Sequence, residues 1–214
     1  MAKIVKINPD TPDEKVINEV ANVIMNGGIV IMPTDTVYGF HASPFYQDTL
    51  DRISRIKGWY GKKPFVLLIP TYRVLRWMGI IIDDWQYSFI KRIWPGPVSV
   101  IMESICDYGL PISYNGSMCF RVPNSRLIKM VLGRVGSAII STSANITGVE
   151  PINDPELLIR EFGDNVDLVI DAGGSYSTLP STIVRFTSDC FEIVREGRVS
   201  EKSLSEILGE VRRS

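Results

Sequence analysis

Residues 29–39 read IVIMPTDTVYG, and this stretch decides the fold class. IVIM (29–32) is a short continuous apolar run of β-branched character, bounded by Gly27-Gly28 before and Pro33 after, which predicts a buried strand. PTDTVYG (33–39) follows it as a polar loop. Upstream, Thr11-Pro12-Asp13-Glu14 reads as a capping box with proline in the first turn, so a helix is expected from about Pro12 to Asn26, stopped by the glycine pair. KIVKI (3–7) predicts a strand before it.

The alternation continues downstream. A helix is expected at 47–57, a strand at 65–69, helices near 72–78 and 83–93, strands at 98–103 and 117–122, a helix at 125–132 and a strand SAII at 137–140. Asp154-Pro155 caps a further helix, LVID (168–171) is a strand, and Ser203 with Glu206 opens the last helix as a second capping box. TIVRF (182–186) and FEIVR (191–195) are spaced as a hairpin, so the sheet is mixed parallel and antiparallel. With 214 residues, 45% of them hydrophobic, the expectation is one α/β domain over residues 1–214.

Composition excludes more than it assigns. Lys plus Arg (23) nearly balance Asp plus Glu (24), so no global charge drives the chain onto nucleic acid or an anionic membrane. Cys106, Cys119 and Cys190 are few, odd in number and far apart, as expected for reduced thiols. MAKIVKINPD lacks the apolar h-region of a signal peptide and no apolar run reaches membrane length, so a soluble cytoplasmic protein with no membrane partner is expected. His41 is the sole histidine, which leaves histidine metal sites short of ligands, and no metal site is assigned. No Cys-x-x-Cys, GxSxG, GxxxxGK[ST] or GxGxxG occurs.

Four segments gather polar and cationic groups near expected strand ends, where open α/β sheets place ligands. PTDTVYG suits a small zwitterion, or is an Asx-type turn. RIKGWYGKKP (55–64) carries four cations at a helix end, which form a phosphate clamp or simply complement the helix dipole. Ser141-Thr142-Ser143-Ala144-Asn145 offers donors for phosphate or ribose oxygens, or an ordinary N-cap. Ser181-Thr182 and Arg195-Glu196-Gly197 form the fourth, and Arg121 is a further strand-end arginine, of a kind usually spent on a surface ion pair.

PTDTVYG, Lys57 in the basic segment, WPGPVSVIM (94–102), RVP (121–123), STSANITG (141–148), STIV (181–184) and REG (195–197), taken in this order, resemble the YrdC family across nearly the whole chain. The resemblance implies a twisted mixed sheet flanked by helices with a basic concave cleft, in the short form without an added C-terminal domain. It implies an L-threonylcarbamoyl-AMP synthase, a nucleotidyltransferase that condenses L-threonine, bicarbonate and ATP for tRNA threonylcarbamoyladenosine formation. ATP comes as a substrate with Mg2+, bicarbonate is a substrate, and no permanently bound cofactor is expected. Contact with tRNA or with the downstream threonylcarbamoyl transferase is a further implication.

On this resemblance Thr34, Tyr38 and Lys57 fall to the threonine and carbamate side. Arg121, Ser141, Ser143, Asn145, Ser181 and Arg195 fall to the nucleotide, with Lys57 and Arg195 as the catalytic cations. The chain departs from the family at Lys57-Gly58-Trp59, where tryptophan replaces a characteristic arginine, and at Leu68, where some members have histidine. Lys62 and Lys63 are the cations that compensate in that case. The alternatives are a YciO-type paralogue with weak or different activity, and a module that binds structured RNA without chemistry.

Overall fold

Apolar residues at every second position commit a strand to two different faces, and most strands of this protein bury both. In the computed structural model, which describes residues 2–59, 65–105, 112–174 and 179–213, the elements run in the following order. They are β1 (Lys3–Lys6), α1 (Glu14–Met25), β2 (Val30–Pro33), β3 (Tyr38–Ala42), α2 (Gln47–Ile56), β4 (Val66–Leu68), a 3-10 turn (Tyr72–Leu75), α3 (Asp84–Ile93), β5 (Val98–Glu103), β6 (Ser113–Tyr114), β7 (Ser117–Arg121), α4 (Arg126–Val135), β8 (Ile139–Ser143), α5 (Pro155–Phe162), β9 (Leu168–Asp171), β10 (Thr182–Phe186), β11 (Phe191–Arg195) and α6 (Glu201–Val211).

The strands form one sheet in the order β1-β9-β2-β3-β8-β4-β7-β5-β10-β11, with β6 paired to β7. β1/β9, β2/β9, β4/β7 and β5/β10 are parallel, whereas β2/β3, β3/β8, β4/β8, β5/β7 and β10/β11 are antiparallel. The sheet is therefore mixed, as the TIVRF/FEIVR spacing predicts.

Each face has its own helices. Phe40, Val100, Phe120, Ile140, Val169 and Val184 point to one face, where α2, α3, α5 and α6 supply Leu50, Phe89, Leu158 and Leu204 among others. Val30, Met32, Leu68, Ile139, Leu168 and Ile170 point to the other, where α1 and α4 cover them with Ile17, Val20, Ile24, Leu127, Ile128 and Val131. Each such side chain contributes about 1.5–3 kcal/mol of burial free energy, so the helix pair is fixed firmly over the part of the sheet from β1 to β4. The rest of that face is left open, and there the cleft lies.

Several elements differ from expectation. The loop PTDTVYG is shorter than read, because Tyr38 and Gly39 begin β3, which pairs with β2 from Pro33↔Tyr38 to Val30↔His41. Gly39 is required there: a β-carbon on it would stand 2.8 Å from the Thr142 carbonyl oxygen across the β3/β8 pair. α1 begins at Glu14 and is capped by Asp13, whose carboxylate accepts from Lys15 N at 2.7 Å, and not by Thr11. The segment 72–78 forms only a 3-10 turn capped by Thr71. β8 extends to Ser143, so the polar STS is strand and not loop. The last helix is capped by Ser200 and not Ser203.

Candidate active site

The same alternation that builds the core builds the cleft. On β5, Val98, Val100 and Met102 are core while Ser99 and Ile101 line the cleft; on β7, Met118 and Phe120 are core while Ser117, Cys119 and Arg121 line it. Ser181 just before β10, with Ile183 and Arg185 on it, lines one edge of the floor, and β8 presents Ser141 and Ser143 on the opposite side. The enclosed volume is about 810 Å³, within the range of small-molecule sites.

One wall is pinned by Lys57, which follows α2 and is 3% exposed. Its ammonium donates to the Ser143 carbonyl at 2.6 Å, the Asn145 carbonyl at 2.9 Å and Asn145 Oδ1 at 3.1 Å. Three protons thus meet three acceptors. The rings of Trp59 and Phe40 lie 5.6 and 5.8 Å from the nitrogen, and Trp59 packs on Phe65 at 5.0 Å. Asn145 Oδ1 also accepts from the Ser143 hydroxyl, while its amide nitrogen donates to the carbonyls of Ile146 and Val149. Thr147 N closes the loop on the Lys57 carbonyl at 2.9 Å. Lys57 and the Ser-x-Asn element, nearly ninety positions apart in the chain, are one structural unit.

A second wall is an ion pair taken out of water. Arg121 donates to the Asp35 carboxylate, to Thr36 Oγ1 at 3.1 Å and to the Gly96 carbonyl at 3.1 Å, and the side chains are 5% and 10% exposed. Asp35 also accepts from Asn124 N at 3.1 Å, and its carbonyl accepts from Arg198. Because Thr34 Oγ1 bonds the Val37 carbonyl at 3.0 Å, the Thr36 hydroxyl donates to Thr34 at 2.9 Å, and the chain of hydroxyls runs one way from Arg121. Arg121 is thereby a scaffold for the β2–β3 loop.

STIV and REG meet at the third wall. The buried Thr182 hydroxyl accepts from Gly197 N and Val199 N, each at 3.0 Å, and donates to the Val199 carbonyl at 2.6 Å. Gly197 is needed because a β-carbon there would collide with the backbone of Pro180 and Ser181. Arg195, exposed over the residue as a whole, turns one guanidinium nitrogen to the Ser181 carbonyl at 2.8 Å. Partial burial of its head pushes its pKa below the usual arginine range. Ser99 and Ser181 share a hydrogen bond at 3.0 Å on the floor.

The structure brings Thr34, Tyr38, Lys57, Arg121, Ser141, Ser143, Asn145, Ser181 and Arg195 to this one cleft. Lys62 and Lys63 lie outside the described residues. Tyr38 borders the cleft but its ring is fully buried in the core beside Phe40, and its hydroxyl is held between Ala172 N and the Gly173 carbonyl, each at 3.0 Å. Asp35 and Thr36 were read from the sequence only within the PTDTVYG segment, and Ser99 and Arg185 escaped assignment; the period of two in VSVIM and TIVRF is the signal that finds Ser99 and Arg185. His41, fully buried in β3, donates its Nε2 proton to the Met32 carbonyl at 3.2 Å, and burial lowers its pKa to about 4. Burial pushes the Cys119 thiol up to about 12, against the opposing fields of Arg195 and Arg121, so it is no nucleophile at neutral pH.

The family model Sua5/YciO/YrdC, described as telomere recombination, matches residues 22–197. A Mycobacterium tuberculosis protein provisionally named threonylcarbamoyl-AMP synthase is 30% identical over 187 residues, 87% of this chain and 86% of its own. The crystal structure of Escherichia coli YciO superposes with a TM-score of 0.86 at 26% identity, over 95% of this chain and 100% of that one. Pyrococcus abyssi Sua5 complexed with L-threonine shares the fold at a TM-score of 0.86 and 22% identity, over 97% of this chain and 61% of that one. Fold and family model agree, and the chain belongs to the Sua5/YciO/YrdC family.

Proposed function

We propose that the protein is an L-threonylcarbamoyl-AMP synthase. The observation that carries this reading is the convergence of Thr34, Lys57, Arg121, Ser143, Asn145, Ser181 and Arg195, from widely separated blocks, on one cleft. Its surface offers hydroxyl and guanidinium donors, and the one carboxylate of its walls among the described residues, Asp35, is bonded to Arg121 behind that surface, a setting for an anionic substrate. Magnesium accordingly comes as part of the substrate, on the nucleotide's phosphates.

In this reading the threonine amine nitrogen bonds to the bicarbonate carbon, a C–O bond breaks, water leaves and a carbamate remains. A carbamate oxygen then bonds to the α-phosphorus of ATP, the bond to the bridging oxygen breaks, and pyrophosphate leaves with the electron pair. Such a displacement needs positioning and fixed charge and no protein nucleophile. Lys57, with its protons matched, acts by its field and by holding Ser143 and Asn145 in place. Arg195 keeps guanidinium protons beyond those bound to Ser181 and donates them to phosphate. Arg121 positions Thr34 and Thr36 and leaves them rigid.

A YciO-type activity is the second reading, favoured by Trp59, which occupies the cleft wall where charge would otherwise enter. Labelled threonine, bicarbonate and ATP incubated with folded protein yield threonylcarbamoyl-AMP and pyrophosphate on the first reading. ATP binding weakens in Arg195→Ala. Folded protein that forms no such product removes the synthase reading in favour of the second, and RNA binding without ATP binding removes both.

A further inference from the structure

β4 and β7 are neighbouring parallel strands, paired from Val66↔Cys119 to Leu68↔Arg121, and beyond their carboxyl ends the chain leaves in opposite directions. After β4 it enters the 3-10 turn, whose Leu75 is buried in the layer that contains Phe89 of α3. After β7 it enters α4, whose Leu127 and Ile128 are buried with Ile17 and Val20 of α1 on the other face. Where adjacent parallel strands send their connections to opposite faces a crevice opens between them, and open α/β sheets bind ligands there. In this protein the crevice is a second cavity of about 690 Å³, within the range of small-molecule sites. It shares no lining residue with the cleft. The wall of Arg121 and Asp35 stands between the two, since Val122 and Asn124 of the second cavity are bonded to Gly96 N at 2.9 Å and to Asp35 at 3.1 Å.

The lining says what kind of molecule fits. Ile69, Tyr72, Val122, Met130 and Leu132 make the walls apolar. Arg126 and Lys129 stand three residues apart on α4, hence on one face of that helix, and both are exposed at the cavity. Neither makes an ion pair among the described residues, whereas Arg134, further along the same helix, is held by Glu14 at 2.7 Å. No lining residue is acidic. The neutral polar groups are already engaged: Thr71 Oγ1 accepts from Arg73 N, Ser125 Oγ accepts from Ile128 N, and the Trp94 indole donates to the Val98 carbonyl. Two uncancelled cations beside an apolar hollow match a ligand that carries a negative head and an apolar body. We propose that this cavity is a second binding site, for a small organic anion whose phosphate, sulfonate or carboxylate head meets Arg126 and Lys129 while its body lies against Tyr72, Val122 and Met130. Nothing in this assignment depends on the chemistry of the cleft.

Fluorescence titration with anilinonaphthalene sulfonate, an anion with an apolar body, and with neutral N-phenylnaphthylamine tests this on wild type, Arg126→Ala/Lys129→Ala and Arg195→Ala. The double variant binds the sulfonate about tenfold more weakly than wild type, the loss of charge-assisted contacts, and binds the neutral probe within about twofold of it. Arg195→Ala, altered in the cleft, binds both probes as wild type does. Because Arg126 and Lys129 are exposed, the urea midpoint of the double variant stays at the wild-type value. Lys129→Glu alone reverses one charge and also weakens the sulfonate selectively, which separates loss of charge from loss of fold. Wild type that binds no sulfonate, or binds it no better than the double variant does, overturns the site. Equal losses of both probes in the double variant and in Lys129→Glu overturn it as well, since the two cations then serve the fold. Sulfonate binding that falls in Arg195→Ala and not in the double variant puts the probe in the cleft and likewise removes the site.

Discussion

Asp35→Ala is the most informative perturbation of this site. Arg121 and Asp35 are 5% and 10% exposed at their side chains, so removing the carboxylate strands a guanidinium in the sheet with only two neutral acceptors, the Gly96 carbonyl and Thr36 Oγ1. Breaking a buried pair from one side costs about 3–5 kcal/mol, because the remaining charge keeps its desolvation penalty without its counterion. The Asn124 N–H loses its acceptor as well. For a chain of this size the loss corresponds to a fall in melting temperature of about 6–20 °C. Arg121→Met alone strands the carboxylate and costs a similar amount. The double variant Asp35→Ala/Arg121→Met leaves no buried charge and unfolds at a higher urea concentration than Asp35→Ala alone. Urea unfolding of the four proteins, followed by tryptophan fluorescence, gives the complete cycle. Costs that add within about 0.5 kcal/mol would refute the buried pair as a coupled unit.

Three further outcomes follow from other parts of the molecule. His41 has a folded-state pKa of about 4 against an ordinary 6.5, so the unfolded chain takes up its proton first as pH falls. Stability contributed by neutral His41 is full above pH 6.5 and lost towards pH 4, by up to about 3 kcal/mol; in His41→Gln, whose amide can still donate to the Met32 carbonyl, urea midpoints at pH 7 and pH 4.5 converge by that amount, and an unchanged gap rejects this account. Asn145→Ala removes one acceptor from Lys57 and the anchor of the 145–149 loop, so kcat/KM for the synthase reaction drops about a hundredfold while circular dichroism is unaltered; a rate within about threefold of wild type argues against the pinned lysine. Lys62→Ala and Lys63→Ala each reduce turnover about tenfold if these lysines replace the charge absent at Trp59, and neutrality of both in steady-state assays excludes that compensation.

Much of the fold is legible because the core strands obey a period of two. Val98, Val100 and Met102, or Met118 and Phe120, declare one face, and the helices between them carry recognisable starts. β3 was hidden for a physical reason: YGFHA breaks the pattern with a glycine chosen for close backbone approach and a histidine buried with its ring neutral. Residues 72–78 carry helical spacing, yet packing allows only one 3-10 turn before Ile80 bridges to Ser104. The site was legible as blocks and not as contacts. Nothing local to Lys57 announces that its partners are the carbonyls of Ser143 and Asn145. Trp59 was visible as a missing arginine, whereas its actual place, closing the pocket around the Lys57 ammonium with Phe40, depends on tertiary structure.

The alternation of β5, β7 and β10 also limits how this family member can be altered. Cys119 and Arg121 face the cleft only because Met118 and Phe120 face the core. Deleting one residue anywhere in 117–121 exchanges the two sets, sending a guanidinium into the apolar layer and a phenyl ring onto the floor. The cleft-facing surface can therefore be re-specified letter by letter at Ser99, Ile101, Cys119, Ile183 and Arg185 with the hydrophobic layer beneath untouched. Any change in strand length rewrites both surfaces at once, so a library built to shift substrate preference should hold the lengths of these strands constant.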